Sequence, residues 1–355
     1  KDNSRRGLQR VKTNEGTIMI TNKDYRLPDN RKEYFNKLYT LNLNHGIMPG
    51  LVYLYLPALA DKYGWDHEQK LWFAFLNGMT QNPITSLKLF EQLPEVPPAG
   101  AALTKFTDWF NASWDNLQYD TDRRYQKKDT ITAIKSYADL VSKYDNQLYM
   151  IKYLNYADLW KLVRDNYSSF GRLSAFSYLE YVHLNGYGVD CDNLLFEDKS
   201  GSKSHRNGMM FLQGADQYVW DKRSGNGFDG DYPDFPKICS WLNNTSEWHI
   251  EDFKKANPSV PNAGNFTFES NLCTFKNHFF GRRYPGVYSD MAWARIEWAE
   301  ERGADVSVFK DIREASLPDW LRVEMSGEKM TSSYINKKAA QFKDTGVPFR
   351  GEYFL

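Results

Sequence analysis

From Leu173 onward the apolar residues Phe176, Leu179 and Val182 recur at the spacing of one helix face, and the run stops at Asn185-Gly186, a helix-ending pair. That pattern dominates the chain, while the period-two alternation of strands is scarce, so a mainly α fold is expected. Residues 51–63 are apolar on one face, Asp66 is placed to cap a helix through Met79, and Asn82 stands before Pro83 as a cap with proline at the first helical position. Further helices are expected over 104–111, 130–144, 156–164, 172–184, 205–214, 233–243, 268–280 and 289–302. The Pro/Gly-rich stretch 93–100 breaks the pattern and reads as a loop between sub-lobes. Residues 1–30 read as an N-terminal arm, 31–305 as a helical body, and 306–355 as a C-terminal docking segment.

At 355 residues the chain can bury a sizeable core as one large helical body or two intimate lobes. Aromatic residues make up 16% of it, which suits thick helical cores and base stacking alike. Lys+Arg and Asp+Glu balance at 45 each, so any nucleic-acid binding has to come from local patches. Three scattered cysteines, Cys191, Cys239 and Cys273, match neither a disulfide framework nor a zinc motif, and a reducing compartment is expected. No apolar run approaches the roughly 20 residues that span a bilayer, so no membrane partner is expected. The loop at 223–232 lacks the ligand spacing of an EF-hand and the Lys-Ser/Thr pair of a P-loop. Neither a cofactor nor a protein-held metal is expected, although magnesium could enter with a phosphorylated substrate.

Three segments carry chemistry. Tyr167-Ser-Ser-Phe-Gly-Arg-Leu-Ser-Ala175, followed by Gly188-Val-Asp190, has the shape of a hairpin turn between two helices with a carboxylate downstream. Gly171 is expected to turn the chain tightly, so that the N-terminus of the helix beginning near Arg172 grips a phosphate. The second segment, 199–208, places Lys203, Ser204, His205, Arg206 and Asn207 where a polar loop runs into a helix. Ser202 or Ser204 could cap that helix, and the cations would hold a diphosphate or a DNA phosphate. In the third, Glu269, Leu272, Cys273 and Lys276 lie at helical neighbour spacings, so a carboxylate and an amine share one face. Arg282, Arg283 and Tyr284 follow in a turn closed by Pro285-Gly286, and adjacent arginines suit forked contacts with phosphate. Tyr288 and Asp290 then lead into a long helix.

The first segment resembles the hairpin of the helical DNA glycosylase superfamily, with Asp190 at the position of the catalytic aspartate. It departs from the pattern at two points: the first hairpin glycine is Ser169, and the nucleophilic lysine of bifunctional glycosylases is replaced by Leu173. Taken together, Phe170-Gly-Arg-Leu-Ser-Ala175, Gly201-Ser-Lys-Ser-His-Arg-Asn-Gly-Met209 and Arg282-Arg-Tyr-Pro-Gly-Val-Tyr-Ser-Asp290 resemble the phage amino acid:DNA transferases, also called alpha-glutamyl/putrescinyl-thymine pyrophosphorylases.

That resemblance implies a glycosylase-like helical body with a degenerate helix-hairpin-helix, acting in the cytoplasm of an infected bacterial host. The implied substrate is DNA containing 5-pyrophosphoryloxymethyl-uracil, from which the amine of an amino acid or polyamine displaces pyrophosphate. Lys203, Ser204, Arg206, Asn207, Arg282 and Arg283 are candidates for holding the leaving group. Asp190 is the first candidate base for the incoming amine, with His205 and Asp290 behind it. Ser169, Gly171 and Arg172 are candidates for the DNA grip, and Tyr284 and Tyr288 for stacking on a flipped base. Two alternatives stay open: a monofunctional DNA glycosylase using Asp190, and a non-catalytic DNA-binding protein using the hairpin alone.

Overall fold

In the computed structural model the chain is mainly helical, as its periodicity requires. The structure describes residues 9–13, 16–20, 23–187, 189–199, 202–221, 227–228, 232–322 and 330–355. Gly188, Ser200, Gly201 and most of the loop at 223–232 therefore lie outside the described residues. Strands β1 (Gln9–Thr13) and β2 (Gly16–Ile20) pair antiparallel, with Val11 opposite Ile18.

The helices follow in order. α1 (Pro28–His45), α2 (Val52–Tyr63), α3 (His67–Thr80), α4 (Pro83–Gln92) and α5 (Thr104–Ala112) come first. α6 (Thr130–Val141), α7 (Gln147–Ile151), α8 (Tyr156–Asn166), α9 (Arg172–Leu184) and α10 (Lys203–Leu212) fill the middle. α11 (Phe235–Ala256), α12 (Asn265–Phe279), α13 (Val287–Glu300), α14 (Ser307–Ser316) and α15 (Ser332–Thr345) complete the set.

Short polar side chains set the starts of several of them. Asp66 accepts from the Gln69 N–H at 2.9 Å while Gln69 Oε1 accepts from the Asp66 N–H at 3.1 Å, a complete capping box before α3. Asn82 caps α4 and Asn155 caps α8 by accepting from the N–H groups of Thr85 and Asp158. Helix α1 is absent from the sequence-based set because polar residues interrupt its apolar face. The interruptions are buried and satisfied: Arg31 donates to the Phe211 carbonyl and pairs with Asp216, and Asn42 donates to Asn271 Oδ1 at 2.7 Å. Helix α11 extends well past the expected 243, because Ser246 and His249 continue its buried face alongside Ile250 and Phe253.

The chain divides into two compact units. The first comprises 1–44, 193–290 and 319–355, and the second 45–192 and 291–318. In the first unit, α1 lays Tyr34, Phe35 and Tyr39 against Phe253, Phe268 and Phe275, with ring centroids 4.6–5.9 Å apart. Within it α10 and α12 cross closely: a Cβ on Gly208 would stand 2.2 Å from the Leu272 carbonyl oxygen. In the second unit, Phe75 stacks on Tyr137 at 4.0 Å and on Phe170 at 5.3 Å, so the turn before α9 rests on a buried aromatic pile. Among the described residues, no helix is long and apolar enough to cross a membrane.

Candidate functional site

The α10–α12 crossing gathers the densest set of reactive side chains in the first unit. Because Gly208 lets the backbones touch, the first turn of α10 faces the middle of α12. Lys276 Nζ donates to Ser204 Oγ at 2.6 Å, and His205 Nδ1 lies 3.0 Å from Glu269 Oε1. Ligand-type atoms of His205, Glu269 and Cys273 all lie within 4.8 Å of one another. The expectation that Glu269, Cys273 and Lys276 share a face thus holds. That His205 joins them was beyond sequence spacing, because it comes from another helix.

Burial holds the Lys276 amine below the ordinary lysine pKa, and the nearby Arg282 and Arg283 guanidiniums push the same way against the thiol of Cys273 and the carboxylate of Glu269. The neutral amine, the form that can act as a base, is therefore populated at a lower pH than in an exposed lysine.

The 199–208 segment does only part of what its composition suggests. Ser202 stands at the N-cap, yet its hydroxyl donates to the Leu195 carbonyl at 2.5 Å and makes no capping bond. Ser204 faces Lys276 instead of capping. Arg206 is buried, and donates to the carbonyls of Phe196 at 2.6 Å and Asp198 at 3.0 Å. Asn207 pairs with the Trp220 backbone at 2.7 and 2.8 Å. His205 is fully buried with Nε2 on the Leu194 carbonyl at 2.8 Å. The backbone on either side of α10 thus consumes polar groups that composition alone would offer to an anion. Lys203 keeps its ammonium near the surface, 4.4 Å over the Trp220 ring.

The 282–290 turn also sorts into outward and inward groups. Arg282 is exposed, its guanidinium 5.4 Å from the Phe280 ring, and the half-buried Arg283 donates to the Arg282 carbonyl. Tyr284 is turned inward, against its expected stacking role: it is 1% exposed and its hydroxyl donates to Asp290 Oδ2 at 2.7 Å. Asp290 is wholly buried and also accepts from Arg350 Nη1 at 3.1 Å. This placement sets Asp290 between the Tyr284 hydroxyl and the Arg350 guanidinium. Tyr288 is half-buried beside Thr274, at 3.4 Å.

In the second unit the turn before α9 inverts the glycine expectation. Gly171 caps the helix with φ −75°, while Ser169 carries the left-handed backbone, φ 63°. Arg123 Nη1 donates to the Ser169 carbonyl at 2.7 Å and pins the turn from behind. The N-cap of α9 is a glycine and makes no side-chain bond to the first turn. Arg172 lies between the Trp160 and Phe176 rings, 5.9 Å from each, and Leu173 is exposed. Asp190 is 89% exposed at its side chain, 3.2 Å from His183 Nδ1.

The same unit holds a cleft of about 410 Å³ that sequence reading did not anticipate. Asp66, Glu68, Glu95, Asp145 and the Pro94–Pro98 strand of chain line it. Its acidic lining gives it the wrong sign for a phosphate.

Residues 52–284 match the amino acid:DNA transferase family. The match takes in the α9 turn, α10, α12 and the Arg282-Arg283 pair. The chain is also similar to a serinyltransferase of Salmonella phage ViI, with 27% identity over 299 residues that cover 79% of this chain and 71% of that protein. No solved structure matches it.

Proposed function

This chain belongs to the amino acid:DNA transferase family, and on that premise we propose that it displaces pyrophosphate from 5-pyrophosphoryloxymethyl-uracil in DNA with the amine of an amino acid or polyamine. Membership makes it a transferase that acts on DNA with an amino acid. The finer assignment rests on the chemistry of the α10–α12 face. Its carrying observation is the Lys276 amine, depressed in basicity, on Ser204 beside Lys203, Arg282 and Arg283. An amine whose protonation is disfavoured, set among cations, suits a reaction that must both deprotonate a nucleophile and receive an anionic leaving group.

In this reaction the donor nitrogen attacks the exocyclic methylene carbon, the C–O bond breaks, and its electron pair leaves on pyrophosphate. Lys276 takes the proton released by the donor ammonium. Lys203, Arg282 and Arg283 neutralise the departing charge, while Arg206, Asn207 and Asp290 hold the framework. The turn at 169–172 grips a DNA phosphate through the N-terminus of α9, in a body related to the helix-hairpin-helix glycosylases, and Tyr288 stacks on the extruded base. The name of the phage ViI relative makes serine the first donor to test. The site of action would be the cytoplasm of a phage-infected bacterium, where such DNA is made.

Asp190 is the second candidate base, favoured by its open position and the His183 imidazole behind it. Incubation of the protein with pyrophosphorylated DNA and a mixture of amines, followed by nucleoside mass analysis, tests both. An amine-adducted nucleoside with released pyrophosphate is expected from wild type, and none from Lys276→Met. Adduct from Lys276→Met but not from Asp190→Asn would move the base to Asp190. A free base with an abasic site would make the protein a glycosylase, and unchanged DNA would leave only binding.

A further inference from the structure

The polar heart of the α10–α12 crossing has a composition that proton transfer alone does not require. His205 is wholly buried, and its Nε2 lies 2.8 Å from the Leu194 carbonyl oxygen, which can only accept. Nε2 must therefore carry a hydrogen, and neutral imidazole then presents its lone pair at Nδ1. Nδ1 lies 3.0 Å from Glu269 Oε1, itself an acceptor when ionised. Two acceptors at this separation in a buried site need a positive charge between them. A proton would satisfy the pair, but it would give no reason for a third soft donor. The half-buried Cys273 supplies one, since its ligand atom lies with the other two inside 4.8 Å.

We infer that His205 Nδ1, Glu269 Oε and Cys273 Sγ form a binding site for one zinc-class divalent cation. The donor set is of the kind zinc takes, and nitrogen, oxygen and thiolate at bond lengths of about 2.0–2.3 Å would stand about 3.5 Å apart around a tetrahedral ion. Glu269 and Cys273 both stand on α12, one helical turn apart. The Leu194 carbonyl fixes the His205 tautomer from behind, as partners of zinc-bound histidines commonly do. Three protein ligands leave a fourth position for water or an anionic oxygen. Lys276 lies one helical turn beyond Cys273, close enough for its amine to feel the thiol. That fourth position could meet the leaving pyrophosphate if the proposed reaction holds, but the cation site itself does not rest on that reaction.

The test uses metal alone, without DNA. Full-length protein is stripped with a chelator, then titrated with Zn²⁺ and separately with Co²⁺ while absorption and far-ultraviolet circular dichroism are recorded. One zinc per chain is expected, together with tetrahedral cobalt bands and a near-ultraviolet thiolate-to-cobalt charge-transfer band. Cys273→Ser should lose the charge-transfer band with its helicity intact, His205→Gln should weaken zinc binding tenfold or more, and Cys239→Ser should behave as wild type. Wild-type protein that takes up no stoichiometric zinc, or whose cobalt spectrum lacks the thiolate band, overturns the inference even if both variants fail to fold. Loss of the band in Cys239→Ser would overturn it as well.

Discussion

Lys276 Nζ lies 2.6 Å from Ser204 Oγ, tying the last turns of α12 to the first turn of α10. That bond orients an amine which burial and two arginines have made less basic. Because the folded-state pKa is lowered from 10.5, the neutral amine becomes populated as pH rises through a value below that of a free lysine. Transfer activity should therefore rise with pH and level off before the ordinary lysine range. Lys276→Met should remove the rising limb and lower kcat by roughly 100-fold or more, the scale of a lost acid–base group. Ser204→Ala should move the limb while sparing KM for DNA. A pH profile of kcat for the three proteins decides it.

The crossing that creates this face depends on one missing methyl group. Gly208→Ala would drive a Cβ to 2.2 Å from the Leu272 carbonyl, a backbone atom that cannot swing aside. A loss of about 3 kcal/mol is expected in chemical denaturation, as for severe overpacking. Gly171→Ala is the contrasting case. Its φ of −75° is open to any residue, and the nearest atom to an added Cβ is Arg123 Nη2 at 3.9 Å, so stability should change by less than about 0.5 kcal/mol.

Ser169→Gly should stabilise the turn, by about 1 kcal/mol, because a glycine relieves the left-handed backbone at φ 63°. Unchanged or lower stability would mean that the serine side chain compensates for its strain.

Asp290 distinguishes framework from chemistry. Its carboxylate is buried between the Tyr284 hydroxyl and Arg350, so Asp290→Asn leaves a buried guanidinium uncompensated and should lower stability by about 3–5 kcal/mol. A variant with wild-type denaturation and no activity would instead make Asp290 part of the reaction.

Acid should loosen the first unit through His278. Burial foremost, and Arg283 beside it, hold this imidazole down at about 3 from a usual 6.5, neutral against the Tyr34 hydroxyl. The unfolded chain binds the extra proton between those two values, so the contribution is fully present above about pH 6.5 and is lost as pH falls toward 3. His278→Gln should flatten the fall in denaturation midpoint between pH 7 and 4.5, measured against wild type.

Local architecture was legible in the residue order alone. Asp66, Asn82 and Asn155 fix helix starts because a cap is a contact between near neighbours, and the apolar spacing of 172–184 gave α9 its bounds unchanged. Residue order also placed Glu269, Cys273 and Lys276 on one face, since about two helical turns are a local matter. What tertiary structure decided is which polar groups stay available. Arg206 and Asn207 look identical in sequence to anion ligands, yet backbone groups of the segments flanking α10 claim them, and Asp290 and Tyr284 claim each other with Arg350. His205 meets Glu269 only because α10 and α12 touch at Gly208 and Leu272. A buried polar atom takes whichever partner the fold supplies, because leaving it unpaired costs more than any local preference can return.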